Sequence, residues 1–202
     1  MNAHVNIEGA NVSFNSQRHK IFLNSISLES IKDEDGKAFS EWKIEKIGKY
    51  LEVYKELVPV NTEIPVLTSS RTGLYPQERA VINDGHYGVV PFGYFTYRHM
   101  SDDLIFRFNI NDIVDNGIVS TLYPVFTTTK DMDDKFLRIK LNSGSEFKKY
   151  AIIQKQGGSR TYMYFKKLQQ LKVTIPEVDE QILISGFITC LENKIKVIEN
   201  YL

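Results

Sequence analysis

Apolar positions in this 202-residue chain follow two regimes. Over residues 42–129 they come as short β-branched and aromatic runs, at 64–67, 88–90, 94–97, 104–108 and 118–126. Turn residues separate the runs: Asn83-Asp84-Gly85, Pro91, Asn116-Gly117 and Pro124. Phe106 and Phe108 alternate with Arg107, as in a half-buried strand. Residues 46–57 suit a helix as well as a strand, and the pattern leaves both open. Upstream, residues 1–41 carry little pattern and end in a charged, Gly-containing connector, Lys32-Asp33-Glu34-Asp35-Gly36-Lys37, which places a boundary near residue 40.

Past Asp131 the period lengthens. Residues 133–142, with Phe136, Leu137, Ile139 and Leu141, and residues 146–154 predict two short helices. A polar break follows at Gln156-Gly157-Gly158-Ser159-Arg160; Phe165, Leu168 and Leu171 fit one or two further helical turns, and Val173-Thr174-Ile175 a short strand. Pro176 then opens a helix whose first turn carries Glu177, Asp179 and Glu180, favoured at the positive end of the helix dipole. Ile184, Ile188, Leu191, Ile195, Ile198 and Leu202 recur at spacings of 4, 3, 4, 3 and 4, an a/d seam. A rod of roughly 26 residues spans about 39 Å, long enough to reach beyond a small domain, so the seam is expected to meet a second helix. Ile182 and Phe187 lie off it and are expected to dock the helix base on the domain. A helix packed along its own domain is the competing possibility. The pattern thus predicts an α+β protein: a lead-in segment (1–41), a mixed, β-rich globular domain (42–176) and a long C-terminal coiled-coil helix (177–202).

Composition narrows the class. The chain is 42% hydrophobic and 25% charged, the balance of a folded globular protein. One cysteine, Cys190, excludes an internal disulfide and a Cys-based zinc cluster. No apolar run approaches the ~20 residues of a membrane span, and residues 1–15 lack the order of a signal peptide, so a cytoplasmic protein without a membrane partner is expected. Net charge is zero but unevenly spread. Residues 135–174 hold ten basic side chains (Lys135, Arg138, Lys140, Lys148, Lys149, Lys155, Arg160, Lys166, Lys167 and Lys172) against one acid, Glu146. Either a solvated helix face or a surface for a polyanion would produce this asymmetry.

Enzyme chemistry finds no support. His4, His19, His86 and His99 lack metal-ligand spacing, Gly157-Gly158 lacks the rest of a phosphate loop, and no cofactor loop of the methyltransferase type is present, so no catalytic residue, metal or cofactor is expected. The carboxylates Asp102-Asp103 and those of residues 131–134 suit solvated turns. Three segments instead interleave polar, basic and aromatic side chains: Thr68-Ser69-Ser70-Arg71, Tyr97-Arg98-His99 and Gln156-Gly157-Gly158-Ser159-Arg160. Arg suits guanine edges, Gln adenine edges, and Ser, Thr and lysines such as Lys148 and Lys149 suit phosphates.

Residues 157–168 (Gly-Gly-Ser-Arg-Thr-Tyr-Met-Tyr-Phe-Lys-Lys-Leu), then Leu171 to Pro176, Glu180-Gln181 and the heptad helix, resemble the end of a target recognition domain in type I restriction–modification specificity subunits. Trp42-Lys43-Ile44-Glu45-Lys46-Ile47-Gly48 looks like the opening of such a domain, and segments 65–71 and 93–100 also resemble one subtype. The resemblance implies a non-catalytic subunit that binds double-stranded DNA through the three segments above. It would position separate methyltransferase (modification) subunits and a nuclease (restriction) subunit. Family members carry two recognition domains and two bridging helices; this sequence has one of each, so it is expected to be half of a longer subunit or a half-subunit that homodimerises through its helix. The alternatives are the recognition domain of a type II enzyme and a coiled-coil adaptor without a nucleic-acid role.

Overall fold

The computed structural model describes residues 4–7, 10–13, 41–59, 61–77, 85–155 and 158–199. In the lead-in segment, β1 (His4–Ile7) and β2 (Ala10–Ser13) form an antiparallel hairpin. The domain opens with β3 (Lys43–Lys46) and a 3-10 turn (Ile47–Tyr50) running into β4 (Leu51–Tyr54) and β5 (Leu57–Pro59), which settles residues 46–57 as mainly extended. Then come β6 (Leu67–Ser69), β7 (Leu74–Pro76), β8 (His86–Pro91), β9 (Phe95–Tyr97), β10 (Met100–Ser101) and β11 (Phe108–Ile110). After β12 (Asn116–Ser120) and β13 (Val125–Thr128), α1 (Asp134–Ser143) and α2 (Ser145–Ile153) begin the helical half. The chain ends with β14 (Thr161–Tyr162), α3 (Phe165–Leu168), β15 (Lys172–Ile175) and α4 (Val178–Glu199). No helix among the described residues is long and apolar enough to cross a membrane.

A four-stranded antiparallel sheet, β11-β9-β13-β4, forms the centre, beside a three-stranded sheet, β12-β8-β5. β9 is buried along its whole length, and its aromatics anchor the core: Phe95 stacks on Phe126 at 4.9 Å and Tyr97 leans on Phe108 at 4.6 Å. Phe147 of α2 meets Phe108 edge-on, and Phe165 of α3 closes over Phe126. α1 begins where the sequence supplies a cap: Asp133 accepts a bond from the Phe136 N–H at 2.7 Å. Three runs differ from their predicted extents: of residues 64–67 only Leu67 lies in a strand, Val66 making an isolated bridge to Ile118. Residues 104–107 are not strand, although Phe106 is buried and Arg107 exposed, and residues 118–126 are split into β12 and β13 by a turn at 121–124.

The two ends of the domain are sewn together. β3 and β15 pair antiparallel, Lys43 with Ile175 and Lys46 with Lys172, and the Ile47 and Gly48 N–H groups donate to the Leu171 and Gln169 carbonyls. A Cβ at Gly48 would lie 2.7 Å from the Gln169 backbone oxygen, so this approach admits only glycine. The first turn of α4 completes the seal. Glu180, fully buried, accepts a 2.9 Å bond from the Trp42 indole, and the Gln181 side chain bonds the Asp133 N–H and the Asp131 and Pro176 carbonyls. Behind Trp42 lies Lys140, one of the ten basic residues of the 135–174 segment; it is buried and paired to Glu146 at 2.5 Å, and so is not part of any outward positive face.

The face by which α4 docks differs from expectation. Ile184 and Ile188, expected in the intermolecular seam, are buried in the chain's own core together with Glu180, Gln181 and Ser185. Leu191 and Ile195 are half-buried, Ile198 is exposed, and Leu202 lies outside the described residues. Ile182 and Phe187, expected to dock the helix base, point outward. A helix of this pattern presents two apolar stripes, and the isoleucine-rich one is taken by the domain.

Burial raises the Glu180 carboxyl above its usual value of 4.5, the Trp42 bond only partly opposing it, and Glu180 Oε2 has no hydrogen-bond partner among the described residues. A carboxyl raised in the folded state adds stability below its unfolded value, and that stability is lost as pH rises through the folded value. Glu180→Gln, which keeps the indole acceptor but cannot ionise, should therefore gain on the wild type as pH increases from about 4 to about 8. Melting temperatures of both proteins across that range check this; a constant difference would mean the carboxyl does not titrate differently on folding.

Candidate nucleic-acid interface

Two of the three polar segments, together with the turn after β10, line one cleft of about 500 Å³. The β6–β7 hairpin contributes Thr68, Ser69, Ser70, Arg71 and Thr72; the chain from the end of β9 to β11 contributes Arg98, Met100, Ser101, Asp102, Phe106 and Arg107. The third segment stands at its edge, because β14 pairs with β10 and Arg160 reaches Asp102 at 3.0 Å. The hairpin is fixed from beneath by Asn109 of β11, whose Nδ2 donates to Ser69 Oγ at 2.9 Å and to the Ser70 and Gly73 carbonyls. Ser70 Oγ meets Thr72 Oγ1 and closes the loop on the Gly73 carbonyl.

Several expected contact residues do other work. Tyr97 is fully buried and donates its hydroxyl to the Met163 carbonyl at 2.9 Å; burial drives its phenol well above the usual range, so it is a core residue. His99 is also buried, and its proton affinity is lowered by burial and by the neighbouring Arg98 charge, leaving a neutral ring that cannot serve as a cationic phosphate contact. Ser69 is held inward by Asn109. Lys148 and Lys149 are exposed on α2 but do not line the cleft. Gly158 and Ser159 are exposed, and Gln156 and Gly157 lie outside the described residues.

The surface side chains that remain are arginines and tyrosines. Arg71 and Arg160 are exposed and each meets an acid of the turn after β10, Asp103 and Asp102 respectively; Arg98 is exposed with no ion pair among the described residues. Two further aromatics were not singled out as contacts. Tyr162 and Tyr164 stack on one another at 5.8 Å, with the His99 ring 5.3 Å from Tyr164, and both tyrosines are open to solvent. The alternation Thr161-Tyr162-Met163-Tyr164, buried at 161 and 163 and exposed at 162 and 164, was the available signal. Among the described residues no group of three His, Cys, Asp or Glu could hold a metal ion.

The chain has the fold of type I specificity subunits. It is similar to a solved chain from work on the structural basis of complex assembly and conformational transition of the type I R-M system, at a TM-score of 0.56 and 9% identity, over 86% of this chain and 44% of that one. It is also similar to the HsdS subunit from Thermoanaerobacter tengcongensis, at a TM-score of 0.52 and 12% identity, over 80% of this chain and 40% of that one. This chain therefore spans less than half the length of either. No family model and no curated protein sequence matches it.

Asn109 is the support of the cleft's outer hairpin, since its removal would take a donor from three acceptors, of which the Gly73 carbonyl keeps others from Ser70. Asn109→Ala should cost about 1–3 kcal/mol of stability and speed hydrogen exchange at residues 70–73 above the rest of the domain. Denaturant titration with exchange mass spectrometry measures both, and an unaltered loop would show that the hairpin holds itself.

Proposed function

We propose that this chain is the DNA-reading module of a type I restriction–modification complex. It recognises one half of a bipartite target in double-stranded DNA, positions separate methyltransferase and nuclease subunits, and does no chemistry itself. The observation that carries this reading is the convergence of the 68–73 and 98–107 segments, with the start of β14, on one arginine-bearing cleft in a domain of HsdS fold. Arginine and tyrosine side chains at the cleft suit base edges and faces, while the exposed lysines of α2 and α3 suit the phosphate backbone. Lysine contacts to phosphate carry no base information, so they set affinity and its salt dependence.

The long helix suits a partner helix on a face other than the one its isoleucines suggest. Leu183, Phe187, Cys190, Lys194 and Val197 follow at spacings of 4, 3, 4 and 3, one residue ahead of the predicted seam, and all are exposed. Burying a Leu or Phe of this stripe is worth roughly 1.5–3 kcal/mol before ordering costs. A second copy, or the second helix of a longer chain, would cover it and set the distance between two recognition domains.

Lys148→Glu with Lys149→Glu should weaken binding to all DNA sequences alike and flatten the plot of log affinity against log salt by about one unit per lost phosphate contact. Anisotropy titrations at several salt concentrations read this, and an unchanged slope would move the phosphate surface off α2. In sedimentation the wild-type chain should self-associate, whereas Leu183→Asp with Phe187→Asp should be monomeric with an unaltered circular dichroism spectrum. Association that survives this pair, yet is abolished at Leu191 and Ile195, would return the contact to the other stripe.

A further inference from the structure

The two arginine–aspartate pairs at the cleft use different edges of the guanidinium. In the β10–β14 ladder Ser101 pairs with Thr161, so the flanking residues Asp102 and Arg160 oppose one another, and Arg160 Nε donates to Asp102 Oδ1 at 3.0 Å. Its terminal Nη1 and Nη2 have no partner among the described residues. Arg71 is held end-on: Nη1 and Nη2 donate to Asp103 Oδ2 and Oδ1 at 2.7 and 2.8 Å, which fills its terminal fork. That fork is the part of arginine that matches the O6 and N7 acceptors of a guanine in the major groove.

Resting on the function proposed above, we infer that Arg160 is the specificity-determining arginine, with Asp102 as its positioning residue. Arg71 is a latch between the β6–β7 hairpin and the turn after β10. Asp103 is itself held in place beside Arg71, since it also accepts from Ser101 Oγ at 2.9 Å and from the Ile105 N–H at 3.2 Å. The intervening Leu104 sits at φ 65, a conformation uncommon outside glycine, which fixes the direction of this turn. Freeing the Arg71 fork would break two charge-assisted bonds and leave a carboxylate beside the DNA. Arg98 has an open fork but no partner among the described residues to orient it, so its side-chain freedom is lost only on binding. Arg160 is already oriented by Asp102 and keeps its fork open.

The test is a selection of bound DNA sequences, with affinity titrations, on the full chain as wild type, Arg160→Ala, Arg160→Lys, Asp102→Asn and Arg71→Ala. Arg160→Ala should erase preference for one guanine and lower affinity for the preferred site about tenfold, with little change on unrelated DNA. Arg160→Lys should retain non-specific affinity yet weaken preference for the same guanine, because an ammonium lacks both the planar fork and the Nε–H by which Asp102 orients it. Asp102→Asn should relax that position alone, and should add nothing in an Arg160→Ala background. Arg71→Ala should keep the preferred sequence at every position while weakening all sites together. Full preference in Arg160→Ala, or loss of one base position in Arg71→Ala, would overturn the assignment. A wild-type chain with no salt-dependent DNA binding would instead overturn the proposed function, so the two failures are distinct.

Discussion

The structure depends on the closure of its two ends. β3 and β15 are remote in sequence, and the Trp42–Glu180 bond joins residues separated by 138 positions. Bringing such distant segments together costs chain entropy that no local contact returns. It is offset by a continuous set of bonds: a four-residue ladder, two backbone bonds at the 3-10 turn, and the Gln181 side chain serving three backbone groups. Once those bonds form, β4 enters the central sheet from a fixed point and α4 leaves in a fixed direction. The geometry of the helix relative to the cleft is thus set by residues that touch neither the helix's outer face nor the cleft.

Much of this was legible in the chain, for reasons that also mark where legibility ended. Strand runs, the short helices and the C-terminal helix follow from local periodicity and turn residues, which act over a few positions. The Trp42…Gly48 opening and the Glu180-Gln181 junction read as the two ends of a domain, yet only the structure shows them bonded to each other. Periodicity tells that α4 has an apolar stripe; it does not tell whether the stripe meets its own domain or another chain. Here the more strongly apolar set, Ile184 and Ile188, lies in the core, and the mixed set of Leu183, Phe187, Cys190 and Val197 is left outside. That is the order expected when intramolecular packing, at high effective concentration, takes the better surface first.

The candidate cleft shows the same division. The residue types gathered there were readable, but their orientation was not. In Tyr97-Arg98-His99 only Arg98 faces out: Tyr97 ends a strand that is covered on both faces, and His99, just beyond it, lies with its ring against Tyr162 and Tyr164. Lys140 belongs by charge to the basic segment and by packing to the core, where Glu146 neutralises it. Burial would raise the Glu146 carboxyl, but the Lys140 ammonium and the Thr174 N–H outweigh it and hold the group below the usual carboxylate range. The ion pair joins α1 to α2, and Glu146, by accepting from the Thr174 N–H at 2.8 Å, ties α2 to β15, so a charge that looks available to DNA is part of the closure instead.

Net neutrality, which at first speaks against a nucleic-acid partner, takes on a meaning at the cleft. Arginines left unpaired would attract any phosphate, and affinity gained that way is shared by every sequence. Placing Asp102 and Asp103 among Arg71, Arg98 and Arg160 lowers that undirected attraction while fixing where two guanidiniums point. A carboxylate beside a reading arginine also disfavours a close phosphate but not a guanine edge, whose acceptors meet the remaining N–H groups. On the proposed function, acids in this position would trade gross affinity for discrimination, the trade a sequence-reading surface requires when competing sites vastly outnumber the target.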